Sequence, residues 1–573
     1  MISSHSIFIL LSTLLFCSCD DSGQHHNVSS PFEYREVYLP ELPFDEGNDL
    51  HLNSVDHDWG IWGHNLSVVL PKNASRSVYA KAGNSVNSEQ FCFSSDALFN
   101  YIKDFINDNY GNEKTIRFAI LPNDNSVVCL CDRCVDCGNK AGDASGAVYY
   151  LLTRLTEEFP KHIFFSSYYR TTSSLPKEKM PDNAGVLISA MSYPLSPVHT
   201  AQEDKFENLL NQWSKYTKRI YIWDYINNFD DYFTPIPVFD VVQRRLQLYA
   251  KSGVKGVFFN GSGHDYSTLF RLKKHIISRL LIDPDMEWRP LLKELSTELY
   301  PVTGETISDF MILQEDMISA KEKTLPMYEG VLKAMNTYLP AKEFEVFHNQ
   351  LFNLLVTVKD PERTEIQKMF RAMMLTHLEL KRINSDTVGC RRMLDGLERL
   401  ADMGVGTYSE SGGSIESYIS EYRFMLQHID EVGNKNLLKG VRIQPLTALD
   451  EEYNDISILT DGHLGLPSNY HCGLMLSSAT PALRIAIPHV EGIRRLRICM
   501  SKNAIYHIAF PLSVSLSSEG RELGKTVPKP TANNLQRAVV EFNIPSDCKG
   551  TLVLTIVRNQ DERTMAIDEI EGF

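Results

Sequence analysis

The sequence is short of several things, and each shortage narrows what the protein can be. Beyond the first sixteen residues no apolar run reaches the ~20 residues that a bilayer-spanning helix needs, so no span is expected in the body of the chain. Basic charge is in deficit: 57 Lys and Arg stand against 72 Asp and Glu, and the net charge of −15 disfavours a nucleic-acid partner, because phosphate binding needs a basic face. Internal repeats and low-complexity tracts are also missing, which argues against solenoids and disordered arrays. What is present is ordinary globular usage, 43% hydrophobic and 23% charged. At ~150 residues per domain the chain makes three or four units, each large enough for a core.

The N-terminus reads as a targeting segment. In "IFILLSTLLFCSC" the apolar stretch from Ile7 to Phe16 is too short to span a bilayer and runs into small residues and Cys19, the pattern of a bacterial lipoprotein signal. Cleavage before Cys19 leaves it as the lipid acceptor, with Cys17 the other choice. The leading "MISSHS" lacks Lys and Arg, and a plain secretory signal is the alternative reading. The acidic "DDSG" after Cys19 resembles the export signal that sends some Gram-negative lipoproteins to the outer cell surface. The expectation is a signal peptide over 1–18, a polar tether over 19–56, contact with membrane by lipid anchor only, and a place on the outer membrane.

From 57 to 284 strand-like and helix-like segments alternate. "TIRFAIL", "IFFSSYY", "AGVLISAM", "RIYIWDY" and "VKGVFF" are short runs rich in β-branched and aromatic residues. "SSDALFNYIKDFINDNY" starts on an N-cap candidate, Ser95, and shows an apolar face at Phe99, Ile102, Phe105 and Ile106, while "VFDVVQRRLQLYAKSG" ends in a C-cap candidate, Gly253. Repeated βα units predict a parallel sheet in an α/β domain, best a TIM-like (β/α)-barrel, with a doubly wound sheet as the runner-up. Residues 285–440 carry a 3.6-residue period and read as helical, with Met369, Met373 and Met374 in its core. Residues 441–573 alternate with a period of two between turn residues and read as an antiparallel β-sandwich.

Chemistry in a parallel barrel gathers at the C-terminal ends of the strands, and those ends are rich in suitable residues. They are Asn123 and Asp124; Tyr168, Tyr169 and Arg170; Trp223, Asp224 and Tyr225; and Asn260, His264 and Asp265. Aromatic faces stack on sugar rings while Asp, Asn and Arg bond hydroxyls, so the mixture suggests a carbohydrate site. Cys129, Cys131, Cys134 and Cys137 in "CLCDRCVDC" have the spacing of a four-thiolate zinc site, or of disulfides in an oxidising compartment. Cys92, Cys390, Cys472, Cys499 and Cys548 are scattered and read as buried.

Several ordered stretches resemble a known family. "HDWGIWGHNLSVVLP", "FCFSSDAL", "PNDNSVVCLCDRC", "SSYYRT", "WSKYTKRIYIWDYINNF", "PIPVFD" and "GVKGVFF...LLIDPD" look like the barrel domain of glycoside hydrolase family 163, whose members include endo-β-N-acetylglucosaminidases that release complex N-glycans. The resemblance implies a glycan or glycoprotein substrate, no required cofactor, and a retaining, substrate-assisted mechanism. In it one carboxylic acid protonates the leaving oxygen and a second carboxylate steadies the acetamido group that attacks the anomeric carbon. Asp124 and Asp224 are the matching carboxylates. Tyr169, Trp223 and Tyr225 would hold the sugar, with His64 and Asn65 of "GHNL" bonding it.

The chain departs from that family at one place. Where a glutamate usually precedes a glycine, "GVFFNG" has Phe259 and Asn260, which cannot supply a proton. The alternative expectation is therefore a catalytically inactive glycan-binding lipoprotein. In the last domain "ISILTDGHLG" and "AIDEIEGF" resemble discoidin-like, galactose-binding-like sandwiches, modules that often bind glycans and sometimes a structural calcium ion, for which Asp461 is the candidate ligand; a sandwich that only buttresses the enzyme is the other reading.

Overall fold

The computed structural model describes residues 29–43, 47, 49–83, 85–111, 114–532, 534–559 and 564–573. Cys17, Cys19 and the expected signal peptide lie outside the described residues. No helix among those described is long and apolar enough to cross a membrane.

Seven strands form the first sheet: β1 Tyr34–Tyr38, β2 Trp59–Ile61, β3 Arg117–Ala119, β4 Ile163–Tyr168, β5 Ala184–Ser189, β6 Ile220–Tyr225 and β7 Gly256–Asn260. All the pairings are parallel, in the order β1-β7-β6-β5-β4-β3-β2, so each strand from β2 onward lies beside its successor and β7 returns to β1. Helices Asp96–Asn109 (α1), Asp132–Cys137 (α2), Ser145–Glu158 (α3), Ala201–Trp213 (α4), Phe239–Lys251 (α5) and Phe270–Ile282 (α6) fill most of the connections. Ser95 caps α1 by accepting from the Leu98 N–H, which satisfies one of the amides a helix start leaves unpaired.

The sheet curls on itself. Side chains from all seven strands, Tyr34, Trp59, Ala119, Phe165, Leu187, Tyr221 and Phe258, meet in one interior cluster, possible only if every strand turns a face to a common axis. Even the edge strands touch there, with the Tyr34 and Trp59 rings 5.8 Å apart and edge-on. Gly256 on β7 makes room for this packing, since a Cβ there would lie 2.6 Å from the Tyr221 ring. Among the described residues no hydrogen-bond ladder joins β1 to β2, so the barrel predicted from the sequence is seen as a curled seven-stranded sheet with a seam. The buried Glu36 spans that seam: its carboxylate accepts from Tyr34 Oη on β1 and from the Val55 N–H (3.0 Å), just before β2.

β1 also corrects the reading of 19–56 as tether. Tyr34–Tyr38 pairs along its whole length with Gly256–Asn260, and Tyr34 and Val37 are buried. "YREVY" hides its strand because its charged residues are satisfied internally; the Arg35 guanidinium donates to the carbonyls of Phe32 (2.6 Å) and His51 (3.0 Å).

The outward faces of β5, β6 and β7 pack against α4, α5 and α6, and this core runs without a break into helices between Trp288 and Val432. Met369, Met373 and Met374 lie buried there. Beyond them two five-stranded antiparallel sheets follow, ordered 444–445, 482–487, 552–557, 513–518, 521–526 and 475–477, 565–572, 495–501, 534–543, 530–531. Inward residues of both sheets, among them Ile485, Leu554, Ile498 and Ile567, share one core.

Candidate functional site

At the C-terminal mouth of the curled sheet is a cavity of about 220 Å³. Its wall includes His64, Asp124, Tyr169, Ser189, Trp223, Tyr225 and Asn260 from strand ends and the loops after them. Tyr328 and Glu410 come from the helical region.

The floor is aromatic. Trp223 stacks on Trp62 with ring centroids 4.9 Å apart and planes at 19°, and Gly63, at φ +60°, turns the chain over the Trp223 ring, which a Cβ would meet at 3.4 Å. The next residue, His64, points Nδ1 at the Pro122 carbonyl (2.6 Å). A carbonyl only accepts, so Nδ1 carries a proton and Nε2 is the ring nitrogen left to meet a ligand. Tyr225 Oη lies 3.3 Å from Ser189 Oγ, and burial pushes its hydroxyl well above the usual tyrosine range.

Two carboxylates line this cavity. Asp124 is ion-paired to Arg170, Nε to Oδ1 2.8 Å, and the same Nε donates to Tyr169 Oη at 2.9 Å. Arg170 sits at φ +46°, a backbone conformation that residues with a Cβ rarely adopt and that collects at functional sites. The second carboxylate is Glu410. It has exposed surface at the rim, and its Oε2 accepts from Tyr328 Oη on the cavity wall at 3.3 Å. Burial raises the Glu410 carboxyl above the ordinary carboxylate range, and the charges of Asp230 and Asp124 raise it further, against the Tyr328 bond that lowers it.

The loop after β6 brings Glu410 here. Its Phe229 N–H donates to the Met327 carbonyl (2.7 Å) and its Phe229 carbonyl accepts from the Glu410 N–H (2.8 Å), while the Tyr232 N–H donates to the Tyr408 carbonyl (2.8 Å). Asn228 makes a two-point clasp on the Glu329 backbone, at 2.7 and 3.2 Å. "INNFDDY" thus binds both segments of the helical region that reach the cavity. Sequence reading missed Glu410 and Tyr328, since "YSESGG" and "MYEG" carry no local sign of what they face.

Asp224 does not line the cavity, which corrects its expected catalytic role. Successive strand residues point to opposite faces, so Tyr221, Trp223 and Tyr225 face inward and Asp224 faces the helices. There it is 0% exposed, forms an ion pair with Arg245 of α5, and accepts from Tyr249 Oη at 2.6 Å. Arg245 also donates to the Tyr193 carbonyl and lies over the Tyr193 ring at 4.3 Å.

Of the other expected site residues, His64, Asp124, Tyr169, Trp223, Tyr225 and Asn260 line the cavity, and Arg170 supports its rim. Tyr168, one residue from Tyr169, faces the helices and packs edge-on against Trp213 at 5.7 Å. Asn123 is turned away, its amide donating to the Glu89 carbonyl (2.8 Å), and Asn65 is exposed ahead of a short 3-10 helix. His264 packs edge-on against Tyr38, and Asp265 accepts from Thr407 Oγ1 at 2.9 Å. Phe259 is buried in the helix layer, so of the pair at "GVFFNG" only Asn260 faces the cavity.

The cysteines also regroup. Among the described residues one set of three or more ligand side chains gathers within 4.8 Å, and it is Cys92, Cys129, Cys131 and Cys134. Cys137, at the end of α2, lies outside it, and Cys92 supplies the fourth thiol. In the sandwich, Asp461 accepts from the His463 N–H (2.7 Å) close to Glu569, a buried carboxyl whose Oε2 has no hydrogen-bond partner among the described residues.

Residues 58–311 match the family described as "Domain of unknown function (DUF4838)". No curated protein matches the chain. Among solved structures, the chain is similar to a family GH115 4-O-methyl-α-glucuronidase with specificity for decorated arabinogalactans, at 11% identity over 87% of this chain and 68% of that one, TM-score 0.35. It is similar to a GH138 enzyme targeting pectin rhamnogalacturonan II, at 7% identity over 87% of this chain and 79% of that one, TM-score 0.32. A shorter likeness, 24% of this chain and 95% of the other at 12% identity and TM-score 0.19, is to the lectin domain of lectinolysin complexed with Lewis B antigen. By sequence, then, residues 58–311 are similar to a family whose function its own description leaves open.

Proposed function

We propose that the protein is a surface lipoprotein that cleaves a glycan in this cavity, with Glu410 as general acid and Asp124 as the anionic partner. The observation that carries the reading is the pairing of these two carboxylates over an aromatic floor at the C-terminal mouth of a parallel sheet, where barrel enzymes keep their chemistry. The Glu410 carboxyl is raised by burial and by neighbouring carboxylates, which suits a group that must hold its proton until the leaving oxygen needs it. Asp124, beside Arg170, supplies negative charge to the reacting centre. Trp223 offers a ring face to an apolar sugar face, and His64 Nε2 accepts from a hydroxyl or amide.

The cavity is smaller than the ~300–1,000 Å³ of drug-sized ligand sites, so it holds one sugar ring with the rest of the glycan outside. The resemblance of the strand-end motifs to family 163 makes that ring an N-acetylglucosamine of a complex N-glycan. Asp124 would then steady the acetamido group as it attacks the anomeric carbon, and Glu410 replaces the glutamate absent at Asn260.

Incubation of the pure protein with a complex N-glycoprotein, followed by mass spectrometry of released glycans, tests this. Release that is lost in Glu410→Gln is the expected result. Binding without release would favour a glycan-binding protein, the reading that Asn260 supports. The lipid anchor on Cys19 and a calcium ion at Asp461 belong to the same proposal. They predict an acylated N-terminal peptide that Cys19→Ser abolishes, and calcium-dependent melting that Asp461→Asn flattens.

A further inference from the structure

Behind the loop that presents Asp124, four thiols from three segments converge. Cys92 follows the hairpin strand Ser85–Phe91, Cys129 and Cys131 lie in the loop after β3, and Cys134 is in the first turn of α2. All four sulfur atoms lie within 4.8 Å of one another, with Cys92 Sγ 3.7 Å from Cys131 Sγ and 3.6 Å from Cys134 Sγ. A disulfide would need ~2.05 Å. Four thiolates around a tetrahedral zinc ion, each at ~2.3 Å from it, stand ~3.8 Å apart, and the observed separations are of that size.

We propose that Cys92, Cys129, Cys131 and Cys134 form a four-thiolate zinc centre that holds the Asp124 loop in place, and that Cys137 is not a ligand. The surrounding bonds suit thiolates. The Lys81 N–H donates to Cys129 Sγ (3.3 Å), and Ser94 Oγ lies 3.1 Å from Cys134 Sγ and 3.8 Å from Cys131 Sγ, within reach to donate to either. Hydrogen bonds of this kind orient metal ligands and spread their negative charge. Borderline-soft zinc fits an all-sulfur set, whereas calcium and magnesium want oxygen.

The position gives the ion a task. From the hairpin, Gln90 grips the loop before the cluster: its Oε1 accepts from the Asn123 N–H (3.0 Å) and its Nε2 donates to the Asn123 carbonyl (3.1 Å). Cys92, two residues on, ties the same hairpin through the metal to Cys129, Cys131 and Cys134. Asp124 is therefore held on a loop clamped at both ends, at Asn123 by the amide and from Cys129 onward by the ion.

Elemental analysis of the full chain, purified in metal-scavenged buffer, should find one zinc per chain, retained in Cys137→Ser and lost in Cys92→Ser. If Cys92→Ser fails to fold, zinc-edge X-ray absorption of the wild-type protein decides, with four sulfur neighbours at ~2.3 Å expected. The proposal is overturned by a metal-free protein whose mass shows paired cysteines, by nitrogen or oxygen neighbours in the absorption spectrum, or by zinc that follows Cys137 instead of Cys92. The positioning role predicts that zinc removal increases amide exchange across 122–134 before the rest of the curled sheet and its helices. Uniform exchange would reject that role.

Discussion

Asp224 and Glu410 are two acids with opposite fates. Asp224 is sealed behind the sheet, where Arg245, Tyr249 and the Tyr225 N–H use its oxygens. Neutralising one side of a buried pair strands the other charge, and such losses cost about 3–5 kcal/mol out of a total of roughly 5–15. Asp224→Asn should therefore lower the melting temperature clearly, and an unchanged melt would show that the pair is not enclosed as described. Glu410 sits in the cavity and should control the pH dependence. As a general acid it must be protonated, so activity falls as pH rises through its raised pKa. The alkaline limb should lie above the ordinary carboxylate range and disappear in the residual activity of Glu410→Gln. A limb that survives the substitution assigns the acid elsewhere.

At the scale of elements, the weak point is the seam between β1 and β2, where Glu36 stands in for a ladder. Burial pushes its carboxyl up from 4.5 to about 7. The folded state thus holds this proton more tightly than the unfolded chain. The stability it brings is full below about pH 4.5 and is lost as pH rises through about 7. Melting temperatures at pH 5 and pH 8 should differ less in Glu36→Gln than in wild type; an equal or larger difference would detach the seam from Glu36. Most strands were legible because "IFFSSY", "AGVLIS" and "IYIWDY" are apolar runs with β-branched and aromatic residues. "YREVY" was not, because Arg35 and Glu36 look solvated in a list of letters and are buried or bonded in the fold. Asp224 is legible by alternation alone. Its neighbours Trp223 and Tyr225 share a face that alternation denies to Asp224, so adjacency in the sequence does not place it beside them in space.

On the scale of the whole molecule, the site is assembled from parts far apart in the chain, which is why so much of it was hidden. Glu410 and Asp124 line one cavity from 286 positions apart, and Cys92 meets Cys129 only once the hairpin is folded. The loops ahead of the C-terminal strands join the same assembly. His471 Nε2 and Tyr470 Oη donate to Asp230 at 2.8 and 3.1 Å, Tyr453 Oη lies 2.6 Å from His471 Nδ1, and Asp230 belongs to the loop after β6 that bonds the Glu410 backbone. His428 of the last long helix meets Glu571 of the final strand at 2.7 Å. Removing the His471 ring leaves the buried Asp230 short of a donor, a loss of about 1–3 kcal/mol. His471→Ala should raise amide exchange in 226–236 and 407–413 while the strands between 475 and 572 stay protected. No change in 407–413 would mean that the sandwich only sits beside the curled sheet.

The central claim is that the reacting acid is Glu410 and not Asp224, and paired kinetics on one substrate tests it most directly. Glycan release from a complex N-glycoprotein is measured for wild type, Glu410→Gln and Asp224→Asn, each normalised to its folded fraction. Glu410→Gln should melt as wild type and lose about 10²- to 10⁴-fold in rate, while folded Asp224→Asn stays within roughly tenfold of wild type. A fully active Glu410→Gln, or a folded but inactive Asp224→Asn, would contradict the account.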